Sequence, residues 1–167
     1  MIDKKETKKM IVVGVGELGI TDESPSDVKT FALGSCVGVI MFNSGATVVG
    51  LLHVQLPERP AGIDEKKELI TRYADTGIPM LIEQFKKKYK VDLLDLKTKL
   101  VGGSAMGDPN GVFNIGKRNI LAVKKVLWKH GIPIVAQDLG GDKYRTVSIS
   151  VGSPVVTIAY EDQKWSI

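Results

Sequence analysis

Cysteine and histidine are scarce in this 167-residue chain, which contains one cysteine and two histidines. A single cysteine excludes an internal disulfide and is typical of a reducing compartment, so we expect a cytoplasmic protein. Cys36, His53 and His130 lie far apart in the sequence, and this spacing does not form a zinc site. The first ten residues are charged and lack the apolar stretch of a secretory signal. We therefore predict neither a metal centre nor a signal peptide.

Aromatic residues are also few, at 6%, whereas glycine is abundant, with 18 residues. This composition argues against a helical bundle and favours a turn-rich chain that contains strands. Hydrophobic residues make up 43% of the chain, which is enough for a core and excludes disorder over most of its length. The net charge of +4 comes largely from lysines at 4–9 and 86–90. No nucleic-acid motif accompanies them, so we predict no nucleic-acid partner.

Charged residues are absent between Lys29 and Glu58. A scan for membrane helices would select such a stretch, but glycine, asparagine and serine interrupt it repeatedly. We interpret it as two buried strands joined by a turn at 43–46, and we predict no membrane insertion.

Hydrophobic periodicity predicts two helices, at 75–89 and 117–130, where apolar residues recur three and four positions apart. The predicted strands are 10–15, 28–33, 37–42, 47–54, 96–101, 132–136, 146–150 and 154–160. This order indicates an α+β fold with a mixed, largely antiparallel β-sheet core flanked by two main helices. We expect a charged, flexible N-terminus at 1–9 and a single domain at 10–167.

Gly14, Gly16 and Gly19 have the G-x-G-x-x-G spacing of a dinucleotide-binding motif, and they follow an apolar run. That motif requires a helix that starts at its last glycine and an acidic residue about twenty positions later. Here a polar loop follows, and the acidic residue would fall in the uncharged stretch. We therefore predict no nucleotide cofactor.

The hairpin in the uncharged stretch provides a candidate site. If Ser44 and Gly45 are the two central residues of its turn, Cys36 lies directly opposite His53. Directly opposed residues have Cβ atoms about 4.5–5.5 Å apart on one face of the sheet. A shift of one residue in the turn would abolish this pairing.

A neighbouring imidazole can accept the proton of a thiol and later protonate a leaving group. A third polar residue usually orients the imidazole. The candidates for that role are Thr30, Ser35, Asn43 and Gln55. The alternative is structural, because a lone cysteine is often a small buried hydrophobe and a lone histidine on a strand is often part of the core.

Several motifs of this sequence resemble the CheD family, the chemoreceptor glutamine deamidases of bacterial and archaeal chemotaxis. They occur in the order of the family and cover most of the chain from Leu33 onward. These motifs are 30–39 with the sequence TFALGSCVGV, 53–57 with HVQLP, 72–79 with RYADTGIP, 102–106 with GGSAM, 115–119 with IGKRN, and 138–141 with DLGG, followed by Arg145. The chain departs from the family pattern at Phe31 and Ala32, where smaller residues are common, and at Lys143 and Tyr144.

The resemblance implies that Cys36 is the nucleophile, His53 the general acid and base, and Thr30 the residue that orients the imidazole. It implies hydrolysis of receptor glutamine side chains to glutamate without a cofactor. Backbone N–H groups of Ser35 and Cys36 are candidate oxyanion donors. The implied partners are the cytoplasmic helices of chemoreceptors and CheC, a chemotaxis phosphatase. The implied fold is α+β, distantly shared with cysteine-dependent toxin deamidases.

Two other functions remain open at this stage. One is a receptor methylesterase, because ester and amide hydrolysis are both acyl transfers. The other is a non-catalytic module that regulates CheC. The loop 106–115 carries Phe113 in a polar setting, and this aromatic either anchors a partner or folds back into the core.

Overall fold

A computed structural model describes residues 7–108 and 110–167. Within them the chain forms ten strands and two α-helices. The helices are α1 (Ala74–Lys87) and α2 (Ile115–Lys129). The strands are β1 (Lys9–Val12), β2 (Leu18–Thr21), β3 (Ser26–Leu33), β4 (Val37–Phe42), β5 (Val49–Val54), β6 (Lys97–Gly102), β7 (Ile134–Leu139), β8 (Arg145–Ser150), β9 (Val156–Tyr160) and β10 (Gln163–Ser166).

The strands form two five-stranded sheets, with the orders β1-β3-β8-β9-β10 and β2-β5-β4-β6-β7. β1 pairs with β3 and β6 pairs with β7 in parallel, while the remaining neighbours are antiparallel. The prediction of an α+β fold with a largely antiparallel core and two main helices is therefore confirmed.

β4 and β5 form the centre of the molecule, and every residue in them is buried. One face of these strands packs on α1 and α2, as Val39 and Leu52 do. The other face packs on β3, β8 and β9 of the second sheet, as Ile40 and Leu51 do. A strand that is covered on both faces has no solvated side for charged residues. This explains why the stretch between Lys29 and Glu58 lacks charge.

Two short strands were not predicted from the sequence. β2 has four residues, including Gly19, and β10 has four mostly polar residues, so neither shows a clear alternation of apolar and polar residues. β2 also occupies the segment where a dinucleotide motif needs a helix, which supports the exclusion of that motif. Residues 1–6, most of the segment predicted to be flexible, lie outside the described residues, and Lys9 already pairs with Ser26.

The two helices begin and end within two residues of their predicted bounds. Neither of these helices, nor any other helix in the described part of the chain, is long and apolar enough to cross a membrane.

Candidate active site

The β4–β5 hairpin differs from the prediction in its register. His53 pairs with Gly38, not with Cys36, which lies one residue before β4. The predicted direct opposition of Cys36 and His53 is therefore wrong. The reason is a longer turn: residues 44–46 form a 3₁₀ turn, and Asn43 accepts a hydrogen bond from the Val48 N–H at 2.8 Å.

The register shift amounts to two residues, so it does not move side chains to the other face of the sheet. Cys36 packs, partly buried, against the core between the two sheets. His53 also faces the second sheet, because its ring contacts Thr30 of β3. The nucleophile candidate and the imidazole thus share the layer between the sheets.

Thr30 and His53 are both completely buried, and the Thr30 Oγ1 lies 2.7 Å from the His53 Nδ1. The same hydroxyl donates to the Val13 carbonyl oxygen, also at 2.7 Å. A threonine hydroxyl has a single proton, so the proton shared with His53 must come from Nδ1. This assigns the neutral tautomer with hydrogen on Nδ1 and an unprotonated Nε2. The Nε2 atom is buried and has no hydrogen-bond partner among the described residues.

Burial governs the protonation of both residues. It lowers the pKa of His53 to about 4, because the charged imidazolium is poorly solvated there. Burial also raises the pKa of the Cys36 thiol, an effect only partly opposed by the backbone N–H of the same residue. At neutral pH the free protein therefore holds a neutral imidazole and a neutral thiol rather than an ion pair.

The turn before β4 is held by three hydrogen bonds to its carbonyl oxygens. Ser104 N–H donates to Gly34 at 2.8 Å, Gly103 N–H donates to Cys36 at 2.7 Å, and the Asn119 Nδ2 donates to Ser35 at 2.9 Å. The backbone of β6 approaches so closely that a Cβ on Gly102, where φ is +110°, would lie 2.3 Å from the Cys36 oxygen. Only glycine fits at such a position.

Asn119 is the residue that sequence reasoning missed. It lies on α2 among the buried positions of the helix, which also include Gly116, Val123 and Leu127. A polar residue inside the apolar stripe of a helix was the available signal, because a buried amide requires hydrogen-bond partners. The resemblance included Asn119 in a motif but gave it no role.

The other candidates for orienting the imidazole have different contacts. The Asn43 side chain contacts Thr47 and Val48, in the turn at the opposite end of β4 from Cys36. The Gln55 side chain accepts a hydrogen bond from the Arg72 guanidinium at 3.0 Å. Thr30 is the one of the four predicted candidates with a hydrogen bond to His53 in the described structure.

Comparison with known proteins places the chain in a family. The model of the CheD family, described as CheD chemotactic sensory transduction, matches residues 55–160, more than half of the chain. The chain belongs to the CheD family. The resemblance seen in the sequence motifs is therefore confirmed.

CheD relatives extend the similarity beyond the residues that the family model matches. The chain is 40% identical over 162 residues to a probable chemoreceptor glutamine deamidase CheD of Syntrophotalea carbinolica, covering 94% of this chain and 98% of that protein. It is 41% identical over 142 residues to a protein of the same name from Caldanaerobacter subterraneus, covering 83% and 85% of the two chains. Among solved structures, it resembles the YfiH protein of Bacillus licheniformis with a TM-score of 0.46 and 15% identity, covering 72% of this chain and 49% of that one.

This CheD protein has a cavity of about 500 Å³ beside the turn before β4, with Ser35 in its wall. Phe113 also lines the cavity and is 70% exposed, so its side chain is not folded back into the core. Its loop is held by the Asp108 carboxylate, which accepts hydrogen bonds from three successive backbone N–H groups at 112–114.

Phe31, at one of the departures from the CheD pattern, lies on β3 at a β-bulge between Thr30 and Leu33. It is 48% exposed, and the Lys29 ammonium lies 4.8 Å from its ring centre. The bulge allows Thr30 and Leu33 both to be buried although they are three residues apart.

Metal ligands are not gathered near this site: the described residues contain no group of three or more histidine, cysteine or acidic side chains suited to a metal ion.

Proposed function

We propose that this protein is a chemoreceptor glutamine deamidase that uses Cys36, His53 and Thr30. The observation that carries the proposal is the buried hydrogen bond between Thr30 and His53, which leaves Nε2 as an unoccupied proton acceptor. The names of the CheD relatives from Syntrophotalea carbinolica and Caldanaerobacter subterraneus support the choice of substrate.

For acylation, the Cys36 thiol must come within reach of the His53 Nε2, which has no hydrogen-bond partner among the described residues, and transfer its proton to it. The sulfur attacks the side-chain carboxamide carbon of a receptor glutamine, and the carbonyl oxygen becomes an oxyanion. When the tetrahedral intermediate collapses, the C–N bond breaks and His53 donates its proton to the leaving nitrogen, which departs as ammonia. The product of this stage is a thioester between Cys36 and the former glutamine side chain.

Deacylation uses the same groups with water as the nucleophile. His53 accepts a proton from water as it attacks the thioester carbon, and the C–S bond then breaks. The proton returns to the Cys36 sulfur, so the enzyme is regenerated and the receptor carries glutamate. No redox step occurs and the residues named account for every proton.

The turn before β4 supports Ser35 and Cys36 as oxyanion donors. In a trans peptide the C=O and the following N–H point in opposite directions. The carbonyls of Gly34 and Ser35 are held toward β6 and α2, so the N–H groups of Ser35 and Cys36 point away from them. Neither N–H donates to another described residue. Two unoccupied donors beside the nucleophile suit a developing oxyanion.

The partner surface follows from the position of the cavity. The exposed Phe113 and the cavity wall at Ser35 lie on one connected surface beside the turn before β4. We assign this surface to the cytoplasmic helices of the receptor and to CheC, which makes Phe113 a shared contact. A reaction on those helices supports a cytoplasmic location for the protein.

Mass spectrometry of a chemoreceptor cytoplasmic fragment tests the proposed function. After incubation with the wild-type protein, defined glutamines should gain the mass of an amide-to-acid conversion, with equimolar release of ammonia. The Cys36→Ala variant is the matched control and should leave the fragment unchanged.

A parallel assay of methanol release from a methylated fragment measures the alternative esterase activity. Methanol without ammonia would assign the site to ester hydrolysis. Binding of CheC without either product would assign the protein to a regulatory role.

A further inference from the structure

Asn119 joins two parts of the site that are distant in the sequence. Its side chain is completely buried, and its Nδ2 donates to the carbonyl oxygens of Ser35 and Gln55, both at 2.9 Å. Ser35 precedes the nucleophile, and Gln55 lies two residues after His53. The orientation of the amide is determined by these contacts, because a flipped amide would place its oxygen against two carbonyl oxygens.

The Ser35 carbonyl depends on the Asn119 side chain for its hydrogen bond, whereas the carbonyls of the two adjacent residues do not. The carbonyls of Gly34 and Cys36 are held by backbone N–H groups of Ser104 and Gly103. Within the described residues the Ser35 carbonyl has the Asn119 amide as its donor. This carbonyl belongs to the same peptide group as the Cys36 N–H, so the hydrogen bond sets the direction of that N–H.

The helix that carries Asn119 is closely packed against the same turn. A Cβ on Gly116 would lie 2.3 Å from the Ser104 oxygen, so the start of α2 is in direct contact with the segment after β6. Ser104 in turn donates to Gly34. The Asn119 side chain is therefore held on a rigid support and not on a mobile loop.

We propose that Asn119 is a positioning residue that orients the Ser35–Cys36 peptide so that the Cys36 N–H faces the oxyanion of the acylation step. This role rests on the proposed function. It acts on the transition state far more than on the thiol, because the Cys36 N–H only partly opposes the rise in thiol pKa that burial causes.

The Asn119→Asp variant separates stabilisation of the transition state from reactivity of the thiol. It is nearly isosteric, and its carboxylate accepts hydrogen bonds where the amide donates them. We expect turnover of receptor glutamine to fall by about 10²- to 10³-fold, the cost of losing one oxyanion donor. Alkylation of Cys36 by iodoacetamide forms no oxyanion, so its rate should fall far less than turnover, through the weaker effect of the Cys36 N–H on the thiol pKa. Asn43→Asp, the same chemical change in the turn at the far end of β4, keeps the oxygen that accepts from the Val48 N–H and should leave both rates unchanged.

The pH dependence of the Asn119→Asp variant gives a second readout. A protonated carboxyl regains one donor, so the ratio of variant to wild-type turnover should rise as pH falls. Asn119→Ala, which removes both donors without adding charge, should show the same loss of turnover without this recovery. It also replaces the aspartate variant if that protein does not fold.

Wild-type turnover in both Asn119 variants would overturn the role, as would alkylation that slows in parallel with turnover. A wild-type protein that releases no ammonia from the receptor fragment would refute the proposed function itself, and with it this role.

Discussion

Acid sensitivity of folding follows directly from the buried imidazole. Burial lowers the pKa of His53 from an ordinary value of about 6.5 to about 4. In the unfolded chain the imidazole takes up a proton as pH falls through about 6.5. In the folded protein it stays neutral until pH approaches about 4. Between these values the unfolded state binds more protons, so stability falls as pH falls.

The magnitude can be worked from the two pKa values. Linkage gives a loss of about 2 kcal/mol at pH 5 and about 3 kcal/mol at pH 4, relative to pH 7.5, from this one group. Such a loss is a large fraction of the stability of a typical domain, which is about 5–15 kcal/mol. Above about pH 7.5 the imidazole is neutral in both the folded and the unfolded state, so this group then causes almost no loss of stability.

Urea unfolding of the wild type and of His53→Asn, at pH 7.5 and pH 5, measures the contribution of His53 to the pH dependence of stability. The asparagine amide can donate to Thr30 in place of the Nδ1–H but does not titrate. The difference in unfolding free energy between the two proteins should therefore shift by about 2 kcal/mol between the two pH values. Other titrating groups cancel in this difference. A His53→Asn variant that loses stability as steeply as the wild type would refute the reasoning.

Further predictions concern the nucleophile, its support and the partner surface. Thr30→Ala should retain measurable deamidation while Cys36→Ala retains none, because an orienting group is less critical than the nucleophile; ammonia release measures both. Alkylation of Cys36 should still accelerate with pH where an ordinary thiol has reached its plateau, since burial raises the pKa of its thiol; a plateau near neutral pH would contradict this. Gly102→Ala should lower the melting temperature more than Gly62→Ala, because both have positive φ but only Gly102 faces a backbone oxygen. Phe113→Ala should weaken binding of a receptor fragment or of CheC in a pull-down without changing the alkylation rate of the thiol, and unchanged binding to both would remove Phe113 from the partner surface.

The sequence contained the local information about this fold. The uncharged stretch predicted the two central strands, and β4 has the predicted bounds of Val37–Phe42. Apolar spacing predicted both helices, because a helix that packs on a sheet repeats its buried face every three to four residues. β2 and β10 were not predicted, since four residues at the edge of a sheet show too little periodicity.

The candidate site was accessible from the sequence only in part. A single cysteine and a single histidine in the uncharged stretch identified Cys36 and His53 as candidates, but the register that paired them was wrong by two residues. The turn at 43–48 determines that register through side-chain hydrogen bonds that spacing alone does not reveal.

The contacts between sheets and helices were decided by the tertiary structure. Thr30 lies 23 residues from His53 in the sequence, and their hydrogen bond exists because two sheets pack face to face. Asn119 lies 84 residues from Ser35, and their contact exists because the start of α2 packs against the end of β6. Periodicity reports which face of one element is buried, whereas a hydrogen bond between elements depends on how those faces are placed in space.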